Sequence, residues 1–443
     1  MKNLLVILSF VLFLNGIAYA QDIDTSLFLK WLDDNCVDLS NNSDSGYDSL
    51  VGILSDKTVI GLGECVHGSS TINNLRFDIA KRLIENGGFN TVAFEMSFNT
   101  GLRLNRYIQT GRGDIKATLG ESHFFLNSRE MMEFVKWLRK QNSSGDRQLN
   151  LYGFDIQSNI DLVEDLVLYY KGLDSKAETY AELLEAIFTE HEFSSFQNYS
   201  SELQDSTLKI IDILTLKHNG NKKRFIQQSG YIEYENTVMR LKILSHYLKQ
   251  LNSGYAQSIK MRDSCNAEII SWIKDFEGEH SKLILFAHNG HLAGATRFIP
   301  RVRTLTTDGF YEDYPRELLT GYYLRKFFKD GYYFIGTQFG NGYFMGFDSQ
   351  NDFTLSKLKV EPPESGSFNF LLQNSSHKTY FIDFEFSRTT PRQVINYICS
   401  LQSFYEIGAA YDFKYSKARI IDYFDAIIYI DEIEESDLFK FKQ

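Results

Sequence analysis

Four short apolar runs, each of strand length and bounded by turn residues, constrain this chain more than any other feature: Thr58 to Gly63, Thr91 to Phe94, Leu149 to Phe154 and Lys282 to Ala287. Runs that are apolar throughout, instead of alternating, belong to strands buried on both faces, and segments of helical period lie between them. After the first run, Ser70 or Thr71 can cap a helix whose apolar positions Ile72, Leu75, Ile79 and Leu83 share one face, ending near Gly87-Gly88. Leu102, Leu104, Tyr107 and Ile108 mark a second helix, and Ser128 to Asn142 a third. The pattern predicts an α/β fold, a mainly parallel central sheet flanked by helices.

Between the third and fourth runs the period is helical almost throughout, in stretches near Asp161 to Tyr170, Lys176 to Phe188, Ser201 to Lys217 and Tyr231 to Leu251. An insertion at about 157–280 is therefore expected to cap the carboxyl-terminal edge of the sheet. Past Ala287 the sequence turns β-like again, at Tyr332 to Phe339, Tyr343 to Phe347, Thr379 to Phe384 and Ala426 to Ile430. With no internal repeat and no Pro-rich linker among 5 prolines, residues 21–443 read as one domain with a helical insertion.

The first twenty residues carry Lys2, an apolar run from Leu4 to Leu14, a break at Asn15-Gly16 and Ala18-Tyr19-Ala20 ahead of Gln21. That is the layout of a secretory signal peptide, too short in its apolar part to span a bilayer, and it predicts an exported chain, periplasmic or extracellular, without membrane insertion. The net charge is −11, or −12 once Lys2 leaves with the leader, which argues against nucleic acid as a partner. Cys36, Cys65, Cys265 and Cys399 are widely spaced with no CxxC pair, so neither a zinc framework nor a dense disulfide scaffold is indicated. The 36 Phe and 26 Tyr fit a greasy cleft, but they fit equally the Phe-, Tyr-, Ile-, Asn- and Lys-rich composition of the whole chain.

In parallel α/β sheets ligands bind at the carboxyl ends of the strands, where loops vary without disturbing the core. Here the first run ends in Gly63-Glu64-Cys65-Val66-His67-Gly68, the second in Glu95, the third in Asp155 and the fourth in His288-Asn289-Gly290-His291. Taken singly, Asp155 can be a helix cap, Glu95 the partner of a structural arginine, and His288 or His291 a satisfied core histidine. Taken together, four strands deliver ionisable side chains to one edge, a costly convergence without a use. Glu64 and His67 are three apart, so a turn can bring carboxylate and imidazole to one face, fixing the tautomer of a base that activates water. The familiar alternatives lack their signatures: there is no G-x-S-x-G for a serine nucleophile and no H-E-x-x-H for a zinc peptidase. Gly61-x-Gly63 opens like a dinucleotide fingerprint, but Val66 holds the third glycine position and Glu64 would face a pyrophosphate. Cys65 beside the histidines could serve as a nucleophile, although a thiol in a strand-end turn is more often apolar filler.

The Gly63 to Gly68 segment, Arg76 nine residues after His67, Ala93-Phe94-Glu95, Tyr152-Gly153-Phe154-Asp155-Ile156-Gln157, Arg262-Asp263 and Ala287-His288-Asn289-Gly290-His291 together resemble the erythromycin esterase family. The resemblance runs from about Lys57 to Ile430, including Gly331-Tyr332-Tyr333 and Phe424-Asp425-Ala426. It implies a sheet with a helical part over a deep cleft, and hydrolysis of an ester by activated water with neither metal nor cofactor. Carried over by position, His67 resembles the essential base, with Glu64, Glu95 and His288 as catalytic companions. Arg76, Asp155, Arg262 and His291 resemble cleft residues that orient substrate or support the others. Cys65-Val66 departs from the family's usual small residue followed by threonine. The expected substrate is a small-molecule carboxylic ester, a macrolide macrolactone being one candidate. Two other readings use the same residues: a hydrolase or transferase acting on acylated cell-surface polysaccharide, and a non-catalytic metal- or haem-binding module.

Overall fold

After a two-residue strand β1 (Val37–Asp38), the four apolar runs form β2 (Val59–Glu64), β3 (Thr91–Ser97), β4 (Asn150–Asp155) and β5 (Leu283–His288), each continuing through the ionisable residue at its end. The computed structural model describes residues 23–40, 44–145, 148–157, 161–294, 319–349, 351–410 and 414–439, so the leader expected at 1–20 lies outside the described residues. Further along come β6 (Tyr332–Asp348), β7 (Thr354–Val360), β8 (Thr379–Asp383), β9 (Leu401–Tyr405), β10 (Tyr415–Arg419) and β11 (Ala426–Ile433). Among the described residues nine strands form one sheet in the order β1-β8-β11-β6-β2-β5-β3-β4, with β7 on the far part of β6. Its centre is parallel, from β11 through β6, β2, β5 and β3 to β4, while β8, β1 and β7 attach antiparallel. Strands β9 and β10 pair with each other as a separate hairpin.

Successive side chains on a strand point to opposite faces, and here both faces are covered. Ile60, Leu62, Val92, Phe94, Ile284 and Phe286 enter one apolar core, whereas Val59, Ala93, Leu283, Leu285 and Ala287 enter the other. Helices Ser70–Asn86 and Arg129–Ser144 cover the first face, contributing Phe77, Ile79 and Leu83, and Phe134, Val135 and Leu138. The second face is covered by helix Tyr255–Glu277, which runs back along β4. At one end Glu277 accepts hydrogen bonds from Asn150 (2.7 Å) and the Tyr152 hydroxyl, and at the other Arg262 reaches Asp155. Helices Asp161–Tyr170, Ser175–Glu190, Ser201–Gly220, Lys222–Ser229 and Tyr231–Leu251 make up the rest of this helical stretch. None of the described residues between β4 and β5 is in a strand.

Two local expectations shift. The first crossover helix is capped by Ser69, whose hydroxyl accepts from the Ile72 N–H at 3.3 Å; Ser69 has extended backbone, and Ser70 and Thr71 already lie inside the helix. The runs Tyr332 to Phe339 and Tyr343 to Phe347 are one strand, β6. It passes from β11 to β7 at Gly342, whose φ of +133° permits the bend and where a Cβ would lie 2.1 Å from the Ile433 carbonyl.

Candidate active site

The carboxyl ends of β2 and β5 are in register, Glu64 opposite His288, so the central pair of strands brings these two residues side by side. Glu64 follows Ile60 and Leu62 on one face of β2, where helix Ser70–Asn86 packs, and this places Arg76 beneath it. The Arg76 guanidinium donates to Glu64 Oε2 at 2.5 Å, to Asn73 Oδ1 at 2.6 Å and to the Leu62 carbonyl at 3.1 Å. Glu64 Oε1 lies 2.7 Å from His67 Nδ1. Since a carboxylate only accepts, Nδ1 carries the proton in this bond and Nε2 is left with its lone pair. No described residue hydrogen-bonds to His67 Nε2, and the ring stacks on Phe125 with centroids 3.9 Å apart and planes at 8°.

The loop that carries His67 is held by segments remote in sequence. The His67 N–H donates to the Gly408 carbonyl (3.0 Å), and the Cys65 carbonyl accepts from Ile407 N–H (2.7 Å) and Gly408 N–H (3.2 Å). Gly68 closes the turn at φ +72°, its carbonyl accepting from Met345 and Ser436 at 2.9 Å each. A Cβ at Gly68 would sit 2.1 Å from the Met345 carbonyl, so the turn depends on glycine there. Cys65 is fully buried; burial pushes its thiol up, and the Thr337 hydroxyl donates to Sγ at 3.7 Å. A neutral, enclosed thiol is filler in this turn.

A second cluster forms at the ends of β3 and β4. Arg262 bonds Asp155 through Nε and Nη2 at 2.9 and 2.6 Å, and Nη2 also reaches Glu95 Oε1 at 2.9 Å. Burial opposes both charges in each of these pairs, yet the Arg262 guanidinium is held above its ordinary value and Asp155 well below the usual carboxylate range. His291 stands between two carboxylates, with Nδ1 2.8 Å from Asp263 and Nε2 3.2 Å from Glu95. Burial works against its charge, but Asp263 and Glu95 prevail and push the imidazolium up to about 10. Glu95 is likewise held well below the usual range, burial being outweighed by His291 and Arg262. Its second oxygen accepts the His288 backbone N–H at 2.8 Å, which joins the two clusters through one carboxylate.

His288 is engaged at both nitrogens. Nδ1 accepts from the Gly290 N–H at 3.1 Å, and Nε2 faces the Cys65 carbonyl at 3.3 Å. Glu406 Oε1 comes within 3.3 Å of Nδ1 and accepts from the Tyr423 hydroxyl at 3.1 Å.

All eight residues singled out from the sequence therefore lie at one end of the sheet, though not in one role. Arg76 is 4% exposed and its two terminal nitrogens donate to Glu64, Asn73 and Leu62, so its contacts are those of a support for Glu64. Asp155 accepts from the Gln157 N–H at 3.2 Å as a capping residue does, but its main partner is Arg262. Sequence reasoning missed four participants. Asp263 sits beside Arg262 in the motif, and His123, whose Nε2 lies 3.7 Å from Asp155, and Phe125 follow the end of helix Ile115–Gly120, so those had a signal; Glu406 had none, because it follows a strand, β9, that the pattern did not reveal. Among the described residues no three His, Cys, Asp or Glu side chains are arranged to hold a metal ion.

The family model for erythromycin esterase matches residues 84–433, a span that begins after the Glu64 and His67 turn. A putative hydrolase, YbfO of Bacillus subtilis (strain 168), is 26% identical over 373 residues, 79% of each chain. Erythromycin esterase type II of Escherichia coli is 23% identical over 448 aligned residues, 93% of this chain and 99% of that one. Among solved structures, that of a succinoglycan biosynthesis protein superposes with a TM-score of 0.78 over 94% of this chain and 99% of the other, at 18% identity.

Proposed function

Because the chain belongs to the erythromycin esterase family, we propose that it hydrolyses a small-molecule carboxylic ester with water activated by His67. The observation that carries this is the state of that imidazole: Glu64 holds Nδ1–H at 2.7 Å while Nε2 has no partner among the described residues. A base so fixed takes a proton from water as the water oxygen bonds to the ester carbonyl carbon. The tetrahedral oxyanion then collapses, the carbon–oxygen bond to the alcohol breaks, and the departing alkoxide takes the proton back from Nε2. Acid and alcohol leave, and the histidine returns to its starting form.

The cationic cluster supplies the complementary charge. His291 and Arg262 keep part of their surface exposed, whereas Arg76 is enclosed, so they are the groups placed to face a developing oxyanion. Glu95 holds both cations and the backbone of His288, and Asp155 aligns Arg262. His288, committed at both nitrogens, acts as a wall and a clamp on the Cys65 carbonyl in the resting site.

The test is a hydrolysis screen of aryl acetates, macrolides and acetylated sugars, run before and after prolonged dialysis against chelator. Turnover of at least one ester that survives the chelator is the expected result. Activity abolished by chelator and restored by one divalent ion would move water activation from His67 to a metal. The reading further includes export through cleavage after Ala20, to be checked by N-terminal sequencing of protein recovered outside the cytoplasm; an intact Met1 on that protein would refute it.

A further inference from the structure

Glu64 fixes one nitrogen of the His67 imidazole, and one hydrogen bond at Nδ1 tolerates a wide range of ring tilts. The plane of the ring is set by Phe125, which is buried and lies face to face with it, centroids 3.9 Å apart and planes at 8°. His123 stacks on the same phenyl at 5.4 Å and 10°. Phe125 sits in the helical turn Phe124–Leu126, closed by hydrogen bonds from the Leu126 N–H to the His123 carbonyl (3.0 Å) and from the Asn127 N–H to the Phe124 carbonyl (3.1 Å). The turns of His67 and Phe125 are far apart in sequence but tied to common anchors. Strand β6 meets the Gly68 carbonyl through the Met345 N–H at 2.9 Å and sets Phe347 edge-on to Phe124 at 4.9 Å. The segment after β11 meets the Gly68 carbonyl through the Ser436 N–H and the Asn127 carbonyl through the Phe439 N–H, at 2.9 Å each.

In the hydrolytic step His67 receives a proton from water and becomes a cation while its ring lies against the phenyl. The face of an aromatic ring is negative, and it attracts a positive charge held within about 6 Å of the centroid. A neutral imidazole gains little from this attraction, which grows as the charge does and so favours the transition state over bound substrate. We propose that Phe125 is a positioning residue for the hydrolysis, holding the plane of His67 and stabilising the imidazolium that forms there. The proposal rests on the reading of His67 as the base.

The experiment measures kcat and KM for 4-nitrophenyl acetate, together with thermal unfolding, in wild type, Phe125→Leu, a protein carrying pentafluorophenylalanine at position 125, His67→Asn, and His67→Asn combined with Phe125→Leu. Pentafluorophenylalanine keeps the ring and reverses the charge of its face. Both changes at position 125 should lower kcat by about tenfold with KM little changed, because an attraction present only in the charged state is lost. In the His67→Asn background Phe125→Leu should cost nothing further. Wild-type kcat with the fluorinated ring, or a loss confined to KM, would overturn the proposal, and the fluorinated protein decides it even if Phe125→Leu fails to fold. An inactive His67→Asn beside a fully active Phe125→Leu would overturn the proposal alone, whereas an active His67→Asn would overturn the base with it.

Discussion

His67 and His291 are both histidines bonded to glutamate at the same end of the sheet, and their surroundings differ. His67 has one carboxylate, shared with Arg76, and an aromatic face against Phe125. His291 has a carboxylate at each nitrogen, and the pair of them holds it protonated to about pH 10, against the burial that would discharge it. A histidine bonded at both nitrogens cannot receive a proton from water; one bonded only at Nδ1 can. How many carboxylates surround each histidine sets whether one of its nitrogens stays open to a proton.

The comparison breaks most sharply at His67. His67→Asn should lower kcat/KM by about 10² to 10⁴ while the unfolding temperature moves only a few degrees, measured by steady-state kinetics and thermal denaturation. A fully active His67→Asn would leave the contrast without content. Glu64→Gln should do less, about a hundredfold, because it disturbs the orientation of the imidazole and leaves the proton acceptor in place; a loss equal to that of His67→Asn would make Glu64 a participant in proton transfer.

At the other histidine the expected signal lies in stability. The folded-state value of His291 is raised above the unfolded value, so its ion pairs contribute fully below about pH 6.5 and the contribution is lost as pH rises toward about 10. The stability gap between wild type and His291→Gln, followed by denaturant titration, should therefore narrow between those pH values; a constant gap would show that His291 is not held as a cation. The smallest effect is expected at Cys65→Ala, which should keep most activity and cost about 1 to 2 kcal/mol for the small cavity left behind. An inactive Cys65→Ala beside an active His67→Asn would replace the base by a thiol nucleophile.

Sequence pattern reached β2, β3, β4 and β5 because a strand buried on both faces must be apolar throughout, and it reached Glu64, Glu95, Asp155 and His288 because a strand's end is where its apolar run stops. Strands β7, β9 and β10 were less legible. β7 alternates with many exposed positions, and β9 and β10 form a hairpin off the main sheet, so neither carries a continuous apolar run. Glu406 went unseen with them, although its neighbours Ile407 and Gly408 hold the loop of His67.

By itself, then, the chain's order of residues determined a covered parallel sheet and the set of titratable side chains at its carboxyl edge, since both follow from local periodicity and from where it ends. The division of labour among those side chains was decided only in three dimensions. Arg76 became a buried support, His291 a cation and His67 a half-bonded imidazole through partners that come from other strands and helices, and hydrogen-bond count and electrostatic environment are properties of neighbours in space that no spacing along the chain encodes.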